Sequence, residues 1–197
     1  MLAQPYDWLE VSIFYADIPA LRYKAAEEVG IIRPKQDKGF NIKVKLKDET
    51  KYAPSIALGF SDFAGSGIFS GEYLVFSKKV GKYDFHGGLG WGIYSSGIEI
   101  DNPLIKLSKS FRERNFQEAN TIGKPDPKDW LSGEDASLFF GVERHIDNHT
   151  LYFESDPIAF TKERFGLENN SKLNFGYKFN GWKYLTPSIT LDDNGEL

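Results

Sequence analysis

Hydrophobic residues alternate with small or polar ones along most of the chain, and a period of two marks β-strands with two unlike faces. The clearest run sets Phe40, Ile42, Val44 and Leu46 against Asn41, Lys43, Lys45 and Lys47. Earlier, Leu9, Val11, Ile13 and Tyr15 alternate with Glu10, Ser12 and Phe14. That predicts a strand of roughly 9 residues, about the length of a tilted membrane strand. Three more runs follow between Pro54 and Gly92. In the first, Ile56, Leu58 and Phe60 oppose Ser55, Ala57 and Gly59; in the third, Tyr83, Phe85, Leu89 and Trp91 oppose Asp84, His86, Gly88 and Gly90. Alternation returns at Ala136, Leu138, Phe140 and Val142 against Ser137, Phe139, Gly141 and Glu143. The exception is a short helix predicted near residues 19–29, opened by Asp17 and Pro19 and ended by Gly30.

Turn residues then suggest registers. A three-residue loop of Lys79, Val80 and Gly81 sets Phe76 opposite Asp84 and Glu72 opposite Gly88. Glu72 would then share the glycine-lined face with Asp84 and His86. A two-residue turn at Asp147-Asn148 matches Val142 with Phe153 and Glu143 with Tyr152. Asn180-Gly181, a strong hairpin signal, pairs Phe179 with Trp182 and Tyr177 with Tyr184. Tight connections near Thr50, Val80, Asp147 and Asn180 alternate with long ones, the longest spanning residues 94–134. Outer-membrane barrels distribute short periplasmic turns and longer extracellular loops in this way. About nine strands emerge, an odd number where bacterial single-chain barrels have an even one, and the segment after Leu191 offers no partner strand. Both features point to an incomplete barrel within a longer protein.

A soluble barrel with its apolar face inward would show the same alternation. Two details favour the membrane. Gly59, Gly88, Gly90, Gly92, Gly141 and Gly176 gather on the non-apolar face, where a solvated outer surface would only lose strand stability, whereas a crowded interior gains room. Aromatic residues also cluster at the Asn180-Gly181 tip, like an interfacial girdle.

Composition narrows the classes further. The 197 residues carry a formal net charge of −4, so the chain holds no basic excess for nucleic-acid binding. Mean hydropathy is −0.41, and no apolar run approaches the roughly 20 residues of a helical span. Barrel strands stay open, because only every second residue of such a strand faces lipid. Sixteen Phe and ten Tyr suit interfacial girdles. The absence of cysteine excludes disulfides, thiol catalysis, cysteine-bound zinc and a lipid-modified cysteine within these 197 residues. The opening MLAQPYDWLEVSIFYADI lacks a basic and then apolar secretory leader, which an outer-membrane protein needs, and again suggests a piece of a longer precursor.

Signals for chemistry are few. His86, His145 and His149 show no metal-ligand spacing, Gly87-Gly-Leu-Gly-Trp-Gly92 lies within a strand and misses the nucleotide-loop spacing, and no nucleophile elbow exists. Glu143, Glu154 and Asp156 share a face and are the residues a glycosidase pair would be drawn from, yet carboxylates are common on a polar barrel wall. No catalytic, cofactor-binding or metal residue is assigned. The candidate functional residues are the polar ones expected to face a barrel lumen: Glu72, Asp84, His86, Glu143 and Glu154.

The stretch PSIALGFSDFAGSGIFSGEYLVFSKK, followed by YDFHGGLGWG, resembles the core of the YjbH-type family of exopolysaccharide-biosynthesis proteins. The likeness extends to GFNIKVKLKDET and, more loosely, to WLSGEDASLFFGVERHI, covering much of residues 39–146. The resemblance implies an up-and-down antiparallel transmembrane β-barrel of the bacterial outer membrane, in a family that includes lipoproteins. Its implied role is non-catalytic assistance to exopolysaccharide or capsule export, in contact with outer-membrane lipid, polysaccharide and other export proteins. Two alternatives remain from the residues: a soluble carbohydrate-binding β module stacking sugars on Trp130 or Trp182, and a glycan-cleaving enzyme.

Overall fold

The computed structural model describes residues 1–22, 34–65, 67, 69–114, 127–158 and 172–192. Eleven strands form one antiparallel sheet: β1 (Leu2–Tyr6), β2 (Leu9–Arg22), β3 (Pro34–Lys47), β4 (Ser55–Ser61), β5 (Gly71–Val80), β6 (Tyr83–Gly92), β7 (Ile98–Asp101), β8 (Asp135–Ile146), β9 (His149–Ser155), β10 (Leu173–Phe179) and β11 (Ser188–Asp192). Neighbours in space follow chain order, except that β6 pairs directly with β8. The other edge of β8 is shared, β9 pairing with Gly141 to Ile146 and β7 with Asp135 to Leu138. At the junction the Ser155 hydroxyl accepts the Phe140 N–H, filling the ladder position between the two partners. The sheet is open, because β1 and β11 are not paired with each other among the described residues.

The all-β antiparallel expectation holds, with corrections. Residues 19–22 of the predicted helix belong to β2, which pairs with β3 as far as Arg22 opposite Pro34; residues 23–33 lie outside the described residues. The fourteen-residue β3 offers a long ladder, and ladder pairing outweighs local helix propensity. Two strands escaped the sequence pattern, β1 and β7, being five and four residues long. The 94–134 connection holds β7 and 3₁₀ turns at Pro103–Lys106, Lys109–Phe111 and Pro127–Asp129.

Two hairpins also differ. Val80 pairs with Tyr83, so the β5–β6 loop is Gly81-Lys82 and Glu72 stands opposite Trp91, not Gly88. Gly81, at φ +62°, occupies the first loop position, where a II′ turn requires glycine. At the last hairpin, β10 ends at Phe179 and pairs with β11 through Lys178 opposite Ser188, leaving residues 180–187 as the connection. The Asn180 N–H donates to the Asn148 carbonyl (2.7 Å) and its amide to Thr150 Oγ1 (3.1 Å), tying it to the neighbouring turn. Gly181 is not among the positive-φ residues, which a type I′ Asn-Gly turn would need. The Asp147-Asn148 hairpin has the expected register, Val142 opposite Phe153 and Glu143 opposite Tyr152, with Asp147 at φ 51°.

Register fixes the two faces across the whole sheet. Val11, Ile42 and Phe60 follow one another on adjacent strands, as do Ile56 and Phe76, Leu74, Leu89 and Leu138, and Phe85, Val142, Phe153, Phe175 and Leu191. This apolar face is the exposed one: Phe85 is 45 % exposed, Leu138 42 %, Phe175 50 % and Ile189 50 %. Buried polar residues on the other face include Asp37, Ser137 and Thr150. Ala57, Trp91, Ile93 and Ala136 are the buried hydrophobic residues among those described, so no conventional apolar core exists there.

Candidate functional site

The polar face is ordered in transverse rows. One row runs Ser55, Ser77, His86, Gly141, Glu154, Asn174 and Asp192 on successive strands from β4 to β11. Ser77 Oγ and His86 Nδ1 are 2.8 Å apart within it. The next row toward the short turns runs Lys79, Asp84, Glu143, Tyr152, Gly176 and Thr190. Directly opposed carboxylates repel, and here the His145 imidazole and two lysine ammonium groups surround them. His145 Nε2 lies 2.7 Å from Asp84 and 3.8 Å from Glu143, Lys79 is 3.8 Å from Asp84, and Lys178 is 3.6 Å from Glu143. The other imidazole nitrogen meets Thr150 Oγ1 at 3.0 Å, and Lys178 lies over the Tyr152 ring at 4.7 Å.

Glycines on this face make space for rings. Tyr73 is directly opposite Gly59, Tyr152 opposite Gly176 and Phe139 opposite Gly88, and each ring lies where a glycine side chain would be. Such aromatic cover over strand glycines pins register.

Of the predicted residues, Asp84, His86, Glu143 and Glu154 therefore share the polar face, and Asp84 faces Glu143 directly. Glu72 does not join them. It lies on the opposite face, beside Phe60 and Trp91, because the two-residue loop moved the β5 register by an odd number of positions. Only 3 % exposed, it accepts two bonds from Arg114, at 2.7 and 3.0 Å, and a third from the Leu131 N–H at 2.9 Å. The expected acidic wall of Glu72, Asp84 and His86 is thus divided between two faces.

Glu72 instead anchors the long 93–134 connection. Beside it Trp91 Nε1 donates to Asn102 Oδ1 (3.0 Å), and the Asn102 amide donates to the carbonyls of Phe111, Leu131 and Gly133. Asn102 is 1 % exposed; its two amide hydrogens are shared among these carbonyls and its Oδ1 also accepts the Leu104 N–H (3.1 Å), so groups that would otherwise be buried unpaired find a partner. Trp130 packs on Phe60 and Phe63, at ring separations of 5.0 and 5.5 Å, and closes the cover over the rim of the apolar face.

On the polar face near the same end, a cleft of about 420 Å³ opens between Tyr73, His86, Tyr94, Phe139, Glu154 and Asp156. The Ser96 N–H donates to the Pro157 carbonyl (3.1 Å), joining the two connections that form its outer wall. Tyr94 bonds Ser61 through its hydroxyl, and burial pushes that hydroxyl's pKa up. Burial also pushes the Asp156 carboxyl up, opposed by the bond it accepts from the Ile158 N–H.

Sequence reasoning missed Arg114, Lys79, Lys178 and Tyr94 as partners, since their roles depend on strands and loops distant in sequence. The register of the Asp147-Asn148 turn could have found the His145–Thr150 pair, which stand directly opposite each other. Among the described residues no group of three or more His, Asp or Glu side chains is arranged to hold a metal ion.

The described residues thus form an open antiparallel β sheet with one apolar and one polar face. The family described as "Exopolysaccharide biosynthesis protein YbjH" matches residues 1–194, and the chain belongs to this YjbH family. It is 33 % identical over 186 residues to a protein of Escherichia coli (strain K12) described as "Uncharacterized lipoprotein YjbH". That alignment takes in 91 % of this chain and 26 % of the relative, so the chain spans about a quarter of the relative's length. No solved structure matches it.

Proposed function

We propose that this chain is a membrane-spanning part of an outer-membrane protein that assists exopolysaccharide export without catalysing a reaction. The observation that supports this most is the burial of the sheet: large apolar side chains such as Phe85, Leu138, Phe175 and Ile189 are exposed on one face, while Asp37, Ser137 and Thr150 on the other are buried. In water, a continuous exposed apolar face of this size would drive association; in a bilayer it is the surface lipid requires. Strand length agrees, since β5 and β6 have 10 residues each and β8 has 12, against the 9–11 of a tilted span. β4, β9 and β10 are shorter, at 7 residues.

Connections sort by end. Those around residues 7–8, 48–54, 81–82, 147–148 and 180–187 lie at one end of the sheet, and 62–70, 93–134 and 156–172 at the other. The short-turn end carries exposed Tyr6, Trp8, Tyr52, Tyr83, Trp182 and Tyr184. Lys51 and Lys183 lie over the rings of Tyr52 and Tyr184, at 5.3 and 5.0 Å. Aromatic residues with snorkelling lysines are the furniture of a membrane interface. We assign this end to the periplasm and the capped 93–134 connection to the outside, with the polar face lining a lumen. Unpaired edges are excluded from hydrocarbon, so β1 and β11 pair with further strands in the assembled protein. The relative's designation as a lipoprotein suits an envelope location.

The test is fractionation of the full-length protein together with polymer secretion by a strain lacking its gene. Recovery in outer membranes, heat-dependent gel migration and a fall in secreted polymer are the expected results. A stable monomer in the soluble fraction, or normal secretion by the deletion strain, would refute the proposal.

A further inference from the structure

A cleft of about 420 Å³ opens on the polar face beside the long connections. Its volume falls in the range of small-molecule sites. Three rings form one side. Tyr73 meets Tyr94 edge-on at 5.4 Å and Phe139 edge-on at 6.5 Å, so the rings brace one another instead of collapsing into the space. The Tyr94 hydroxyl is held by Ser61 and its carbonyl accepts the Ser137 hydroxyl (2.6 Å), which fixes that ring further.

Across from the rings, His86 and Glu154 stand on either side of Gly141 in one transverse row. Strands lie about 4.8 Å apart, so the two backbone positions are separated by roughly 10 Å, with a glycine between them. Asp156 adds a second carboxyl from the rim. Ring faces suit the C–H faces of a sugar, as apolar and polarisable surfaces do, and carboxylates and imidazole suit its hydroxyls. No lysine or arginine is among the described residues lining the cleft, whereas two carboxyl groups are. A uronate or phosphorylated sugar would meet like charge there.

We propose that this cleft is a saccharide subsite that takes an uncharged or amine-bearing sugar residue of a polysaccharide chain. The proposal rests on the exopolysaccharide role argued above and names where on the polar face the polymer is held. Gly141 is the position that decides it. A methyl group there would meet nothing closer than Glu154 Cβ at 3.6 Å, so alanine fits, while a larger side chain fills the floor between His86 and Glu154.

The experiment is calorimetric titration of the full-length protein in detergent micelles with three hexasaccharides: cellohexaose, chitosan hexamer and hexagalacturonate. Cellohexaose or the chitosan hexamer should bind, with hexagalacturonate at least tenfold weaker. Gly141→Leu should weaken binding at least tenfold and Gly141→Ala less than twofold, with heat-dependent gel migration of both unchanged. Binding of none of the three, tightest binding of hexagalacturonate, or full affinity in folded Gly141→Leu would overturn the subsite. Secretion separates the two proposals. If export depends on the protein but Gly141→Leu binds sugar and exports polymer normally, the subsite alone fails; if the deletion strain exports normally, the export role fails whatever the titrations give.

Discussion

Glu72 and Arg114, 42 residues apart, form a bidentate ion pair in which both side chains are almost wholly buried, at 4 % and 5 % exposure. Such a pair is a fastener between a strand end and a loop, because each charge would be costly to bury alone. Glu72→Gln should therefore destabilise the protein by about 3–5 kcal/mol. Replacing both residues by Met should cost less than the single change, since no charge is left unpaired. Denaturant unfolding of the refolded protein in micelles measures both, and wild-type stability of Glu72→Gln would show that the pair bears no load.

Asn102 makes a similar test of the loop cover. Asn102→Ala leaves the Trp91 indole and up to three carbonyls without their partner, at about 1–3 kcal/mol for each buried group left unsatisfied. The expected outcome is faster proteolytic cleavage within residues 93–134 while strands β5 and β6 stay protected. Uniformly faster cleavage along the chain would place Asn102 in the global fold instead.

Leu138, opposite Leu89 on the exposed face, tests what that face meets. Leu138→Lys should impair assembly by about 2–4 kcal/mol if the position lies near the bilayer midplane. Lysine at a 42 % exposed site facing water would be nearly neutral, so an unaffected yield of folded protein would contradict a lipid-facing surface.

Glu49 predicts a pH dependence at the β3–β4 turn. Its carboxylate accepts from Lys78 Nζ (2.9 Å) and the Lys79 N–H (3.2 Å), and Lys78 also bonds the Thr50 carbonyl. The Lys78 bond, then the Lys79 N–H, hold its pKa below the ordinary carboxylate value. A depressed folded pKa means that this contribution is complete above the unfolded pKa, about 4.3, and is lost as pH falls through the folded value. The stability gap between wild type and Glu49→Gln should be flat from pH 7 to about 5 and close below about 4. Solvent exposure and screening keep the gap small, and a gap that widens on acidification would contradict the assignment.

Much of the sheet was legible because alternation is a local property. Phe40 to Lys47, Ser55 to Phe60 and Tyr83 to Trp91 announce both strand and face, and Asp147-Asn148 fixed its own register. The glycine-lined face was legible too, although not the reason for it: Tyr73, Tyr152 and Phe139 arrive from the strand alongside, so the need for space at Gly59, Gly176 and Gly88 is a cross-strand fact.

Where local signals competed, they misled. Gly81 fits two loop lengths, and the choice between them moved Glu72 from one face to the other. Asn180-Gly181 is a strong turn signal in isolation, but bonds from Asn180 to the Asn148 carbonyl and Thr150 removed the freedom it needed. Asp17 and Pro19 suggest a helix start, yet β2 continues to Arg22 in pairing with β3.

The sequence by itself determined the strand periodicity, the two unlike faces and the spacing of connections, because each follows from the order of neighbouring residues. Only the tertiary structure decided which residues meet: Glu72 with Arg114, Asp84 with Glu143 and His145, and Tyr94 with Ser61. It also decided which face carries the large exposed apolar side chains, since alternation by itself does not say which face is covered. Pairing at long range depends on register, and a shift by an odd number of positions at a two-residue loop is enough to turn a polar wall residue into a buried fastener.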